Sequence, residues 1–230
     1  MSSPVEFEQS LAEIIAGRPG AAQVLRRYGL DYSGHGARSL GAACHSSRVD
    51  PDEVRRALIA ARPERDDVHA WSHRPLPELV AHIKERYHER HRLDLPYLID
   101  LAHRVERRWS AHPACPRGLE GLLVGLREDL EGHLDEEEQM VFPLIVQAAA
   151  DGVVPESFAS ARCEHDHHLE ALEAIRRLTG DLETPVRACR NWGLLYRGLV
   201  EFERDLLNHI HLENNVLFPR AAAEGRIAPV

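Results

Sequence analysis

Two stretches of this chain share the pattern H-x3-E-x4-F-P. One reads HLDEEEQMVFP and places His133, Glu137, Phe142 and Pro143; the other reads HIHLENNVLFP and places His209, Glu213, Phe218 and Pro219. On an α-helix, residues i and i+4 lie on one face, one turn apart. Each stretch therefore presents an imidazole and a carboxylate side by side, and the following proline is expected to end the helix. A single His-x3-Glu step is usually a solvated ion pair that stabilises a helix by a few tenths of a kcal/mol. Two copies in matching context constrain the fold far more, because both must be helical and both must be placed by the same architecture.

The surrounding pattern is helical throughout, with no alternating β-branched run longer than a few residues. Short helical stretches are expected at about 7–16, 20–28, 38–45 and 51–61. The last begins with Asp50 as N-cap, Pro51 at the first helical position and Glu53 completing a capping box. A glycine-broken turn, YGLDYSGHGARSL, separates the second from the third. Residues 62–77, RPERDDVHAWSHRPLP, carry three prolines and little apolar periodicity, and read as a linker. Four long helices follow: from Pro75 to about Trp109 with a kink at Pro96, then about 117–148, 157–179 and 185–222, the middle break falling at DGVVPES. Short connections force neighbouring helices to run opposite ways, so the expected fold is all-α. It is an antiparallel four-helix bundle over residues 78–224, preceded by a small helical domain over 1–64 and a linker at 65–77.

The histidines then fall into register. The first long helix holds YHERH, with His88 and His91, and the third holds EHDHH, with His165, His167 and His168. His88 precedes His133 by 45 residues and His165 precedes His209 by 44, so the bundle reads as two copies of one helical hairpin. Pairing the copies about a pseudo-twofold axis brings His88, His133, Glu137, His165, His209 and Glu213 to one level. Inward-facing imidazoles and carboxylates from all four helices make a dinuclear metal site with shared carboxylates. Nitrogen and oxygen donors suit iron, manganese or zinc, and iron is favoured because it cycles between oxidation states and binds O2 or NO. The ferritin-type Glu-x-x-His pattern is absent, and HERH at 88–91 is not the H-E-x-x-H of a zinc protease.

Composition removes several other classes. With 28 basic and 37 acidic residues the formal charge is −9, opposite to what a phosphate-binding surface requires. The four cysteines include no C-x-x-C pair, so neither a zinc ribbon nor a disulfide framework is expected. No apolar run approaches the roughly 20 residues that cross a bilayer, and MSSPVEFEQS lacks the basic and apolar regions of a signal peptide; a cytoplasmic location is expected.

The stretches AHIKERYHERHRLDLPYL, LEGHLDEEEQMVFPLI, CEHDHH and LNHIHLENNVLFPRA resemble the bacterial iron–sulfur cluster repair di-iron family (the RIC family), in which a hemerythrin-like bundle follows a small N-terminal domain. The resemblance spans nearly the whole chain. It implies the same six ligands, His88, His133, Glu137, His165, His209 and Glu213, holding two non-heme irons with an oxo bridge. It also implies repair of clusters damaged by nitric oxide or oxidants, with damaged iron–sulfur proteins as partners, NO or O2 as small ligands and a homodimer as an allowed assembly. Neither nucleic acid nor membrane is expected. Two other activities stay open: O2 or NO binding or sensing without repair, and di-iron NO reduction. Within the family picture Glu137 and Glu213 bridge the irons, Asp129 is a candidate acceptor for a ligand N–H, and Glu164 is a candidate channel residue. The chain departs from the family at its N-terminal turn: where adjacent cysteines usually follow an aromatic, it reads Asp31-Tyr32-Ser33-Gly34-His35-Gly36. A serine there cannot ionise as a low-pKa thiol does. Cys163 and Cys189 are expected on helices as packing residues, Cys44 as a buried helix residue or a surviving thiol, and Cys115 in a loop. His91 and His168 are expected on exposed helix faces, with an extra imidazole ligand as the alternative for either.

Overall fold

A computed structural model describes residues 4–63, 67–147, 156–186 and 188–224. Every regular element among them is helical, and the single β-type contact is an isolated antiparallel bridge between Ser10 and Ser39. The described residues divide into two compact units, one formed by residues 4–80 and 207–224, the other by 81–147 and 156–206.

The first unit contains α1 (Leu11–Gly17), α2 (Ala21–Arg27), α3 (Leu40–Ser47) and α4 (Pro51–Ile59). The capping box lies at α1, where the Ser10 hydroxyl accepts the Glu13 N–H at 3.2 Å and the Glu13 carboxylate accepts the Ser10 N–H at 2.9 Å. Asp50 caps α4 as expected, accepting the Asp52 N–H at 3.0 Å, but Glu53 accepts the Tyr28 hydroxyl at 2.9 Å instead of completing a box. Leu11, Ile15, Leu25, Leu40 and Leu58 are fully buried at the centre, each stabilising the unit by about 1.5–3 kcal/mol. Gly20 opens α2 at φ 77°, where an added Cβ would sit 2.1 Å from the Arg62 carbonyl oxygen, so only glycine fits. Part of the segment expected as a linker packs onto this unit. Val68–Trp71 forms a 3-10 turn with Val68 buried, and Asp67 accepts the Gly20 N–H at 2.5 Å.

The second unit holds four long helical segments. The first is the end of α5 (Leu76–Ile83), a π-helical turn at Lys84–His88 and α6 (Glu89–Trp109). The second is α7 (Leu119–Glu136), a π-helical turn at Glu137–Val141 and α8 (Phe142–Gln147). The third is α9 (Glu156–Thr179), and the fourth is the part of α10 (Arg190–Leu212) up to Leu206. α7 packs against both α6 and α9. The α6–α10 seam is pinned at both ends: Arg86 grips the Asp205 carboxylate through two bonds of 2.9 and 3.1 Å, and Trp109 lies 5.8 Å from Trp192. The start of one helix thus meets the end of the other, the antiparallel arrangement. Gly198 lets α6 approach closely, since a Cβ there would lie 2.7 Å from Leu98 Cδ2. Arg176 closes α9 onto α10 through two 2.6 Å bonds to Glu203.

Two prolines behave differently from expectation. α6 runs through Pro96 as one helix, but Pro143 and Pro219 do not end theirs. Each of the latter is the second residue of a renewed helix, α8 or α11 (Phe218–Ala223), after a π-helical turn. In those turns Phe142 N–H bonds to Glu137 C=O and Phe218 N–H to Glu213 C=O, one residue wider than the α register. The widened turn restarts the helix, and a proline near a helix start has no amide bond to lose. The break expected at DGVVPES falls at 151–155, outside the described residues.

Candidate metal centre

In the second unit four of the expected side chains converge. His88 closes one π-helical turn and Glu137 opens another, so both sit where the helix is locally widened. A single carboxylate oxygen, Glu137 Oε2, lies 3.5 Å from His88 Nε2 and 3.5 Å from His133 Nε2. His165 Nε2 stands 3.0 Å from His133 Nε2. His133, Glu137 and His165 offer ligand atoms within 4.8 Å of one another, as do His88 and Glu137. All four residues are at most 3% exposed.

The first unit carries the other pair. His209 Nε2 lies 3.0 Å from Glu213 Oε1, both residues are fully buried, and Glu213 opens the third π-helical turn. The repeat read from sequence is thus present as structure in each copy: His-x3-Glu on one face, then the π-helical turn, then Phe-Pro.

The donor chemistry fits a metal. Glu137 and Glu213 are 1% and 0% exposed, and ionised carboxylates at such depth cost several kcal/mol each unless a positive charge compensates them. A divalent ion supplies that charge, and imidazole with carboxylate is the donor set of iron, manganese and zinc sites. The outward nitrogens agree. His88 Nδ1 donates to Glu138 Oε1 at 2.9 Å, and His133 Nδ1 donates to Glu164 Oε2 at 2.7 Å. An ionised carboxylate only accepts, so each Nδ1 carries the proton and each Nε2 keeps its lone pair toward Glu137.

Several expectations need correction. Asp129 is exposed, and the carboxylate that accepts the His133 N–H is Glu164, because α9 presents it directly to the ring. His91 and His168 are buried rather than exposed. His91 packs between Tyr87 and Phe202, with ring centroids 6.4 and 5.3 Å away, and His168 lies 5.1 Å from His133. Neither belongs to the converging donor groups among the described residues. Cys163 is exposed rather than packed, and Cys189 precedes α10 instead of lying on it, its sulfur accepting the Trp109 indole N–H at 3.2 Å.

Sequence reasoning missed Glu138 and Arg92. Glu138 follows Glu137 in a run of three glutamates, and nothing in the run says which one faces the first long helix. Hydrogen bonds from His88 and, after it, Arg92 outweigh burial and hold the Glu138 carboxyl at about 2. It also missed the seating of the N-terminal turn within the first unit. Asp31 accepts the N–H groups of Ser33 and Gly34 at 3.0 Å, folding an Asx turn. Asn215 Nδ2 donates to the carbonyls of Tyr32 and Ser33 at 3.1 and 3.0 Å, and the Tyr32 hydroxyl donates to Asn208 Oδ1 at 2.9 Å. Gly36 leaves room for the Asn215 side chain beneath them, since a Cβ there would come within 2.1 Å of Asn215 Oδ1 and displace it. The turn that carries Ser33 in place of a cysteine therefore rests on residues that alternate along the chain with His209 and Glu213.

Residues 79–221 match the hemerythrin HHE cation binding domain, a span that includes all six side chains. Residues 7–62 match ScdA_N, a domain of unknown function (DUF542). The iron-sulfur cluster repair protein YtfE of Yersinia pseudotuberculosis serotype IB (strain PB1/+) is 38% identical over 213 residues, covering 93% of this chain and 96% of that protein. YtfE of Yersinia pestis (strain Pestoides F) matches at the same identity and coverage. No helix among the described residues is long and apolar enough to cross a membrane. This chain, which carries an ScdA_N domain and a hemerythrin HHE cation-binding domain, belongs to the iron–sulfur cluster repair family.

Proposed function

We propose that this protein repairs damaged iron–sulfur clusters in the cytoplasm during nitrosative or oxidative stress, through two non-heme irons. The observation that carries the reading is the twice-repeated buried His-x3-Glu pair in a chain 38% identical to proteins named for that repair. The donors in this reading are His88, His133, Glu137 and His165 in one unit and His209 and Glu213 in the other, with His88 outside the group of His133, Glu137 and His165. Glu137 and Glu213 would hold the irons together with the four imidazoles. The domain limits that go with this reading are 1–64 and 78–224, with 65–77 between them.

When bound, a His/carboxylate di-iron centre supplies one-electron redox change and open positions for NO or O2. The chain contributes orientation and dryness. Glu138 and Glu164 hold the protons on His88 Nδ1 and His133 Nδ1, which leaves Nε2 to ligate. Phe142, 2% exposed and 5.4 Å from the His88 ring, covers that ring from water. Glu164, whose side chain is 35% exposed, links His133 Nδ1 to solvent and is the group that exchanges that proton with water.

The test is reactivation of a nitrosylated [4Fe–4S] dehydratase by the iron-loaded protein. Recovery of dehydratase activity that H133A and H209A fail to give is expected; no recovery with a fully loaded protein refutes repair. A second reading, O2 or NO binding without repair, is favoured by one observation: Ser33 and Gly34 stand where the family carries its cysteine pair, and the Ser33 side chain is fully buried. That reading predicts reversible spectral change with NO and a dehydratase that stays inactive.

A further inference from the structure

Glu138 lies outside the donor set but is tied into it from three sides. Its Oε1 accepts the His88 Nδ1–H at 2.9 Å and one Arg92 guanidinium N–H at 2.7 Å. Lys84 Nζ stands 3.7 Å from Oε2. Arg92 is itself fixed by a second bond, 2.8 Å to Asp135. Lys84, His88 and Arg92 belong to the first long helical segment and Asp135 and Glu138 to the second, so the network spans two neighbouring helices of one unit. Lys84 opens the π-helical turn that His88 closes, and Glu138 is the second residue of the next one. Both turns depart from the regular α register, so helix geometry alone leaves the His88 ring under-determined.

We propose that Glu138, clamped by Arg92 and Lys84, is the positioning residue that sets the tautomer and ring orientation of His88 and thereby retains one of the two metal ions. This rests on the donor sets proposed above. The Glu138 carboxylate, held by Arg92 at 2.7 Å, meets His88 Nδ1 at 2.9 Å and so fixes which ring edge faces it, leaving Nε2 facing Glu137. The cations also restrain the carboxylate that restrains the ring, a chain of contacts running from Asp135 through Arg92 and Glu138 to His88. Outer partners of this kind alter metal affinity by about 10–100-fold when removed. The effect is expected on one ion alone, because His88 lies outside the group of His133, Glu137 and His165, and His133 has its own partner in Glu164.

The experiment uses the full chain and its E138A and E138Q variants. Long-range 1H–15N spectra of the imidazoles in metal-free protein report the tautomer. The wild type should show His88 protonated at Nδ1; E138A should show exchange between tautomers; E138Q, which keeps an acceptor oxygen, should restore the wild-type pattern. Chelator competition with Co(II) then reads each ion. E138A should bind one ion about 10–100-fold more weakly and leave the second unchanged, with E138Q recovering most of the loss. An unchanged His88 tautomer in E138A, or two ions held as tightly as in wild type, overturns the proposal. Equal loss of both ions does so too. A wild type with the expected tautomer that binds no Co(II) refutes the donor-set reading instead, and ion retention falls with it while the tautomer result stands apart.

Discussion

Replacing His133 by alanine tests whether the buried donors hold a metal or merely pack. The ring is 3% exposed, with Nε2 pointing at His165 Nε2, 3.0 Å away, and at Glu137 Oε2, 3.5 Å away. In metal-free protein H133A loses packing and the 2.7 Å bond to Glu164, a deficit present with or without metal. With metal a second loss appears. An ion held at one hundred times its Kd stabilises the folded chain by about 2.7 kcal/mol, and a chain of this length gains about 2–4 °C in Tm per kcal/mol. Iron should therefore raise the wild-type Tm by about 5–11 °C per ion so held, and H133A should forfeit that gain for its ion while keeping the metal-free deficit. The assay is a thermal melt of both proteins, each with Fe(II) under anaerobic conditions and with excess chelator. The informative quantity is the difference of differences, which removes the packing cost. If H133A and wild type are separated by the same interval with and without iron, His133 binds no metal and the repeat argument fails.

Three further outcomes follow from individual contacts. R86A leaves the Asp205 carboxylate, 5% exposed, with Arg204 at 2.9 Å still beside it, and should cost about 1–3 kcal/mol in urea unfolding; a loss near zero would mean that the pair is effectively solvated. Y32F removes the hydroxyl that donates to buried Asn208 Oδ1 at 2.9 Å, and should lower stability by about 1–3 kcal/mol; equal denaturation midpoints for Y32F and wild type would deny that bond its role. Cys44 is fully buried and burial raises its thiol pKa, so native-state alkylation read by mass spectrometry should label Cys163 well before Cys44; S33C, placing a thiol at a fully buried position, should react as slowly as Cys44, and labelling at the rate of Cys163 would show the N-terminal turn to be open.

The legible parts of this molecule are those governed by short-range periodicity. His133 with Glu137 and His209 with Glu213 are i, i+4 pairs, so their adjacency follows from the helix alone, and the 45- and 44-residue spacings place His88 and His165 at matching points of each hairpin. Asp50 caps its helix for a reason equally local. What sequence did not reveal depends on contacts between distant segments. The Glu53 side chain goes to Tyr28 rather than to its own cap, because a partner 25 residues away competes for it. His133 turns to Glu164 across a helix pair rather than to Asp129 on its own helix. His91 and His168 belong to the buried face because each meets a ring on another helix, His91 that of Phe202 and His168 that of His133.

The prolines show why the motif is longer than its ligands. In H-x3-E-x4-F-P the histidine and glutamate need only four residues of helix, yet Phe-Pro recurs at the same offset in both copies. A proline inside a regular α-helix removes an amide bond and crowds the carbonyl four residues back. Here each π-helical turn begins at the ligand glutamate and closes on the phenylalanine N–H, so proline arrives one residue into a fresh helical segment. The proline therefore disfavours a uniform α register around the preceding turn, and the widened turn starts at the residue whose carboxylate enters the donor set. Replacing Pro143 by alanine lifts that restriction and lets the Glu137 turn relax to the α register. Co(II) affinity should then fall while helix content, read by circular dichroism, stays constant or rises. Unchanged affinity in P143A would show that the glutamate is placed by bundle packing alone, and that the Phe-Pro half of the repeat serves the helix rather than the metal.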